Sequence, residues 1–471
     1  MSDWTTYDEI RYSNHPYVQT HPDRLAVIAV LHGLTPPAPS RARVLEIGCG
    51  AGGNLLAMAY ACPEMRTVGV DLAGTAIEEA RRGAKEVGIA NAEFHHADVR
   101  DVADGRLGEF DYVISHGLYA WIPEDARDAL LAACKAHLAP DGIVYVSYNA
   151  MPGGHWRRML REAAFWHGRD ARSDVELAEK AQELFSFLSL RATEDAYGGM
   201  LAVDVPVLAE GPLHRIIHDE LSAYWQPVWF HEFAREAARH GLGFLAEASP
   251  LELWPADLPE GAEERMHELA GGDRIALEQY LDLLFFRRFR STLLCQEGVE
   301  VTPGLDRASV KRLLFTSVPP ADEMPVGPLR NVMSYLATRR PVAVSFEELR
   351  EALGEGISEE GLLDTLLEGL KDFDVGARVD PPARSLVAGP RPRASALARW
   401  QTHHDDEVTT LVHGIVRIDD PMGKELLRLL DGTRDREAIR RDLKAAGGPD
   451  LNEEQLEMNL RPLGELGLLH E

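Results

Sequence analysis

Residues 44–54 read Val-Leu-Glu-Ile-Gly-Cys-Gly-Ala-Gly-Gly-Asn, and no other stretch constrains the fold as tightly. ARVLEIGC is a short apolar run that ends in glycine, the pattern of a buried strand. NLLAMAYAC follows with the period of a helix. Gly48, Gly50 and Gly53 fall between them at the spacing G-x-G-x-x-G. Such a loop turns sharply and lets the backbone approach a ligand with no Cβ in the way. The expectation is a parallel sheet whose strands alternate with covering helices.

The neighbouring sequence continues that alternation. PDRLAVIAVLHG reads as a helix before the first strand, and RTVGVDL as a second strand. AGTAIEEARRGAKEVG reads as an amphipathic helix closed by Gly88. AEFHHADV and FDYVISHG read as the third and fourth strands. EDARDALLAACKAHLAPDG reads as a helix with a Pro-Asp-Gly turn, and IVYVSYNA as the fifth strand. Helical patterns then run from about 155 to 222, an insertion, before FHEFAREAARHG and LGFLAEAS return to the sheet. On this reading the first domain spans 1–255. Residues 256–300 are connecting helices, with DRIALEQYLDLLFFRRFRSTLL as one long helix whose Arg287, Arg288 and Arg290 read either as a partner-binding cluster or, the favoured reading, as paired surface charges. Two similar three-helix patterns follow at 301–382 and 399–471, both winged-helix-like, joined by a Pro- and Arg-rich linker at 383–398.

The glycine pattern alone leaves NAD and S-adenosylmethionine both open as ligands. Asp71 ends the second strand about 20 residues on, where a carboxylate can hold two ribose hydroxyls. Glu46, two residues before the first glycine, suits a cationic ligand better than a pyrophosphate, which it would repel. Asp98 closes the third strand, where its carboxylate can accept from an adenine amino group. FDYVISHGLYAWIP places a polar-aromatic loop at the carboxyl end of the fourth strand, the rim where open α/β sheets bind ligands.

In this order EIGCGAGGN, VGVDL, HHADV and FDYVISHG…LAPDGIVYVS resemble the motifs of the class I S-adenosylmethionine-dependent methyltransferases. YDEIRYSNHPYVQTHPDRLAVIAVLHGL, VSYNAMPGGHWRRMLREAAFWH and QPVWFHEFAREAARHGL extend the resemblance. They look like the bacterial family of methyltransferases with a regulatory domain, which includes rickettsial protein lysine methyltransferases acting on an outer-membrane protein. The resemblance covers nearly the whole chain, more loosely over the two C-terminal units. It implies a Rossmann-like sheet, S-adenosylmethionine as methyl donor and S-adenosylhomocysteine as product. It makes Glu46, Gly48 and Gly50 contacts of the methionine moiety, Asp71 the ribose partner, and Asp98 with Val99 the adenine site. Asn54 and Leu72 complete that set. Tyr12, Gln19, Thr20 and His21 lie in the stretch that folds over the donor, and His116 sits where donor and substrate meet. Tyr119, His116 and Tyr148 are the candidates to orient a lysine amine or accept its proton. Trp121, Tyr148 and Trp156 form either an aromatic wall for that amine or core packing.

Composition narrows the partners. Lys and Arg number 49 against 76 Asp and Glu, a net charge of −27. Such a surface argues against nucleic acid and anionic membrane as partners. Residues 1–165 carry 15 basic and 21 acidic residues, so most of the excess lies in the insertion and the C-terminal units. That acidity fits a basic protein or peptide substrate. The fourth-strand loop reads S-H-G-L, not the Asn-Pro-Pro-aromatic motif of amino-methylating nucleic-acid enzymes. The runner-up is a methyltransferase for a small metabolite or biosynthetic peptide recruited by the C-terminal units. A non-enzymatic sensor is the third reading. No metal is expected: His95 and His96 are adjacent on a strand and point to opposite faces, and His403-His404-Asp405-Asp406 reads as a solvated loop. Four cysteines without framework spacing, and a polar N-terminus, suggest the cytoplasm. A homodimer is left open.

Overall fold

The computed structural model describes residues 14–191, 195–222, 224–248, 258–317, 327–340, 342–371, 374–381 and 389–470. Tyr12 lies outside the described residues. Seven strands form one sheet: β1 (Arg43–Ile47), β2 (Arg66–Asp71), β3 (Ala92–His96), β4 (Phe110–Ser115), β5 (Leu138–Asn149), β6 (Leu242–Glu247) and β7 (Phe289–Gln296), in the order β3-β2-β1-β4-β5-β7-β6. β1 to β5 are parallel, and β7 runs antiparallel to both β5 and β6. β1 neighbours both β2 and β4, so the connectivity reverses there and opens a crevice at the strands' carboxyl ends.

The helices cover both faces. α1 (Pro22–Leu31), α2 (Gly53–Ala61) and α3 (Gly74–Val87) pack on one, sharing a core with Val44, Tyr112 and Tyr145. α2 is buried nearly all round because a C-terminal unit covers the side it turns away from the sheet. α3 buries only Ile77, Ala80, Gly83 and Ala84 and ends at Gly88, whose φ of 81° suits glycine. α4 (Glu124–His137) covers the other face with Tyr119, Tyr148 and Phe233. The helical insertion, α5 (Gly154–His167), α6 (Asp174–Ser189) and α7 (Ala196–Glu210), has its own core around Trp156, Leu160, Phe185 and Leu201. α8 (Phe230–Arg239) then leads into β6.

The sheet does not close near 255. After α9 (Ala262–Ala270), the expected long helix stops as α10 (Arg274–Phe285), because Phe286 takes a left-handed φ of 49°. The chain then forms β7 between β5 and β6. The expectation failed at Arg290, which reads as a surface charge and is fully buried. Its guanidinium binds both carboxylate oxygens of Asp282 (2.9–3.1 Å), Glu278 Oε2 (3.0 Å) and Glu247, and lies 3.8 Å from the centre of the Phe230 ring.

The first C-terminal unit contains a three-stranded sheet, β8 (Leu314–Ser317), β9 (Val344–Ser345) and β10 (Val375–Arg378), with α11 (Pro328–Arg339), α12 (Phe346–Leu353) and α13 (Glu359–Lys371). Val27, Val30 and Leu31 of α1 belong to its core. The second unit begins earlier than expected, at β11 (Arg393–Ala394), which pairs with β14 (Leu469–His470). Between these lie α14 (Ala396–Gln401), the hairpin β12 (Glu407–Thr409) and β13 (Ile415–Arg417), α15 (Pro421–Leu429), α16 (Arg436–Ala445) and α17 (Glu453–Glu465). Its Leu397 and Leu411 enter the core of the large domain beside α2.

Candidate active site

The glycine loop leaves β1 at the reversal point. Gly48 and Cys49 donate their N–H groups to the Val70 carbonyl (2.8 and 3.1 Å), which pins the loop to β2. Gly48, Gly50 and Gly52 have φ of 83°, 52° and 74°. A Cβ on Gly52 would come within 2.6 Å of the Phe94 ring, whereas one on Gly50 would meet nothing within 4 Å. The loop therefore packs on one side and faces open space on the other. Asp71 holds its shape: Oδ2 accepts from Gly50 N–H (2.7 Å) and Oδ1 from Ala73 N–H (2.8 Å). A carboxylate has acceptor positions for more than two donors, so ribose hydroxyls are compatible with both bonds.

Glu46 points from β1 into the same place and is buried. Asn54 Nδ2, in the first turn of α2, donates to Glu46 Oε1 (2.9 Å), while Glu46 Oε2 has no partner. Burial, with Asp71 nearby, pushes the Glu46 carboxyl up to about 8, against the pull of Asn54. A buried carboxylate oxygen with nothing to accept from is unfavourable by itself. It fits an ammonium, such as that of a methionine moiety, which would draw the carboxyl into its ionised form.

A strap at residues 14–21 crosses this loop. Asn14 Oδ1 accepts from Gly53 N–H (2.5 Å), and Tyr17 N–H donates to Asn54 Oδ1 (3.0 Å). Thr20 Oγ1 accepts from Asn54 Nδ2 (3.0 Å). His21 caps α1 by accepting from Asp23 N–H (3.2 Å), and burial lowers its pKa well below the usual histidine value. Gln19 is half-buried on the short helix Val18–Thr20. A second histidine, His413, arrives from the C-terminal hairpin, its Nε2 2.8 Å from Asn54 Oδ1. Sequence reasoning missed Asn14, Tyr17 and His413. Asn14 and Tyr17 flank a His-Pro pair that reads as turn chemistry, and His413 carries no local signal at all.

At the rim, the His116 ring lies 4.1 Å from that of Tyr17, centre to centre. Its Nδ1 is 3.0 Å from both Tyr145 Oη and Ser147 Oγ. Tyr145 Oη in turn donates to Ser291 Oγ (3.1 Å) on β7. Burial lowers His116 to about 4, so its ring is neutral at physiological pH. Tyr119 and Tyr148 are not brought to this cluster. They lie on the other sheet face with Phe233, ring centres 5.1 and 4.4 Å away, and both are buried. Tyr148 Oη bonds Thr292 Oγ1 (3.0 Å) beside the Arg290 network. Nor do Trp121 and Trp156 form one wall. Trp156 donates to Asp204 (2.5 Å) inside the insertion, and Trp121 packs near Trp225 with Arg157 over both rings.

On the far side, the Leu72 carbonyl accepts from His96 Nε2 (2.9 Å), and Val99 is half-buried. Asp98 is engaged on both oxygens by Arg100 (2.9 and 2.7 Å), which also binds Asp125 and holds the Asp98 carboxyl below its usual range. An adenine amino group there shares the carboxylate with that guanidinium. His95 pairs with Glu93 (3.0 Å). Among the described residues, no group of three or more His, Cys, Asp or Glu side chains is arranged to hold a metal ion. No described helix is long and apolar enough to cross a membrane.

Sheet order, glycine loop and the carboxylates closing β1 and β2 are those of a class I methyltransferase. Comparison with known proteins agrees. Residues 44–142 match the family described as a methyltransferase domain, 212–296 a predicted methyltransferase regulatory domain, and 390–455 the PKMT C-terminal winged helix domain. An uncharacterized protein of Rickettsia prowazekii (strain Madrid E) is 33% identical over 323 residues, 68% of this chain but only 58% of that protein. A second from the same organism is 30% identical over 236 residues, 50% of this chain and 94% of the relative. The structure of PKMT2 from Rickettsia typhi superposes with a TM-score of 0.83 over 97% of this chain and 99% of that one, at 23% identity. A structure of the same protein in complex with AdoHcy gives 0.84. The chain belongs to the bacterial methyltransferase family that carries this regulatory domain and the PKMT-type winged helix.

Proposed function

We propose that the chain binds S-adenosylmethionine at the glycine loop and methylates lysine side chains of a protein substrate. The observation that carries the donor assignment is Glu46 Oε2, a buried carboxylate oxygen without a partner beside the loop. Glu46 would hold the ammonium, Asp71 the ribose, and Asp98 with Val99 the adenine. When bound, the donor supplies a sulfonium methyl for direct transfer and leaves as S-adenosylhomocysteine.

Lysine as the acceptor draws on the PKMT relatives and on charge. The excess acidity of the insertion and C-terminal units would steer a basic protein toward the site. The amine must be neutral to attack, and its reference pKa is about 10.4. Moving its proton onto His116, at about 4, would be uphill by about 9 kcal/mol, at 1.36 kcal/mol per unit. His116 therefore suits orienting the amine, not deprotonating it, and the proton leaves to solvent as the site desolvates the ammonium. Because Tyr145 Oη donates to Ser291, its oxygen can accept from His116 Nδ1–H, and Nε2 then keeps a lone pair for an N–H of the amine. The four cysteines are buried and not disulfide-bonded, which suits a reducing cytoplasm.

The test is transfer of labelled methyl from S-adenosylmethionine into a cell extract, followed by acid hydrolysis. Methyl-lysine recovered from a protein band is the expected result. Label confined to small organic fractions overturns the lysine assignment and leaves the donor assignment standing.

A further inference from the structure

The second C-terminal unit reaches the donor loop through one turn. Between β12 and β13, Thr410 N–H donates to the Gly414 carbonyl (2.9 Å), and Gly414 N–H to Thr410 Oγ1 (2.9 Å). Inside this closed turn His413 holds a left-handed φ of 64°. That region is disfavoured for residues with a Cβ and persists where the surroundings enforce it. The backbone aims the ring inward: His413 is 3% exposed, and Nε2 lies 2.8 Å from Asn54 Oδ1. On its other side, Asn54 Nδ2 holds Glu46 Oε1. One hydrogen-bonded chain thus runs from the tip of the hairpin to the carboxylate that faces the donor.

The contact is not a loose touch. His15 Nε2 in the strap lies 3.1 Å from Glu407 Oε2 at the base of the hairpin. The Trp400 indole donates to Glu86 on α3 (2.7 Å), and Ala396 N–H to Tyr60 Oη (2.8 Å) on α2. The His413 and His21 rings are 4.9 Å apart. Burial lowers His413 to about 3, so it stays neutral, with Nε2–H as donor to Asn54 across the physiological range.

We propose that His413 is a positioning residue of the donor site, and that docking of the C-terminal hairpin and binding of the donor are thermodynamically linked. The proposal rests on the donor assignment above. Nε2–H fixes the Asn54 amide, which sets Glu46 for the ligand's ammonium. Linkage is reciprocal, so an occupied donor site holds the hairpin in place by the same factor that the hairpin tightens the donor.

The experiment uses the full chain, with S-adenosylhomocysteine in calorimetry and S-adenosylmethionine in turnover. His413→Ala should weaken binding about tenfold and raise KM for the donor, with kcat changed less than KM. His413→Gln, which restores an N–H at similar reach, should recover most of the loss. In the unsubstituted chain, amide hydrogen exchange over residues 405–418 should slow when S-adenosylhomocysteine is added, a measurement that needs no variant to fold. Unchanged affinity in His413→Ala, equal losses in both variants, or unaltered exchange in the hairpin overturns the linkage while the donor site stands. A wild-type chain that binds neither S-adenosyl compound removes the donor assignment and the linkage together.

Discussion

In its proposed role, Glu46 should make donor binding a proton-releasing event. With its carboxyl at about 8, roughly nine molecules in ten carry the proton at pH 7. A ligand cation set against Oε2 demands the ionised form. Reaching that form at pH 7 opposes binding by about 1.4 kcal/mol, a factor of about ten. Titrating S-adenosylmethionine at pH 7 in buffers of different ionisation enthalpy should therefore show a net release of about 0.8 proton per site, about 0.9 from Glu46 less about 0.1 taken up by the ligand's amine. The sign follows from the raised value: affinity climbs about tenfold from pH 6 to 7 and flattens near 8, where the ligand's own amine begins to deprotonate. Glu46→Gln should abolish the release and flatten the rise. Compared at pH 8, where the ionisation cost has nearly vanished, it should also lower affinity by about 1.5–3 kcal/mol, the usual size of a hydrogen bond to a charged group. A wild-type chain that releases no proton, or releases as many as Glu46→Gln, refutes a protonated Glu46 awaiting a cation.

Three further outcomes are expected. His116→Ala should lower kcat by about tenfold or more with donor affinity nearly intact, whereas Tyr119→Phe, in a core where the ring does the packing, should keep kcat within about twofold; steady-state kinetics separates them. Gly53→Ala would drive a Cβ into the side-chain and backbone oxygens of Asn14, so it should displace the strap and weaken donor binding while leaving the circular dichroism spectrum unchanged. Arg290→Met leaves three acidic groups in a buried network and should destabilise the chain by about 3–5 kcal/mol in urea denaturation.

The glycine loop and the carboxylates gathered beside it were legible because local patterns encode them. Gly48 and Gly50, which adopt positive φ, and carboxylates at or near the ends of β1, β2 and β3 follow from spacing along the chain. The surroundings of His116 were read less well. Tyr145 and Ser147 share a sheet face with His116, while Tyr148, one residue on, turns to the other. Side chains alternate along a strand, so the parity was available in the sequence, but the motif drew attention to Tyr148. Two features lay beyond any local pattern. Arg290 sits in a strand because acidic groups from β6 and α10 neutralise it, so its polarity misdirected the reading toward a surface helix. His413 meets Asn54 across 359 residues, and nothing near either residue announces the other.

The place of β7 has a consequence for how this chain is divided in the laboratory. Among the described residues, 144–149 of β5 find their outer partner only in 289–294, and β6 joins the sheet only through β7. A fragment cut near 255 would keep every donor motif yet expose a long apolar strand edge, a template for pairing with other chains. Such a piece is expected to aggregate, and a soluble fragment must run past Gln296 and also keep the C-terminal residues that cover α1 and α2.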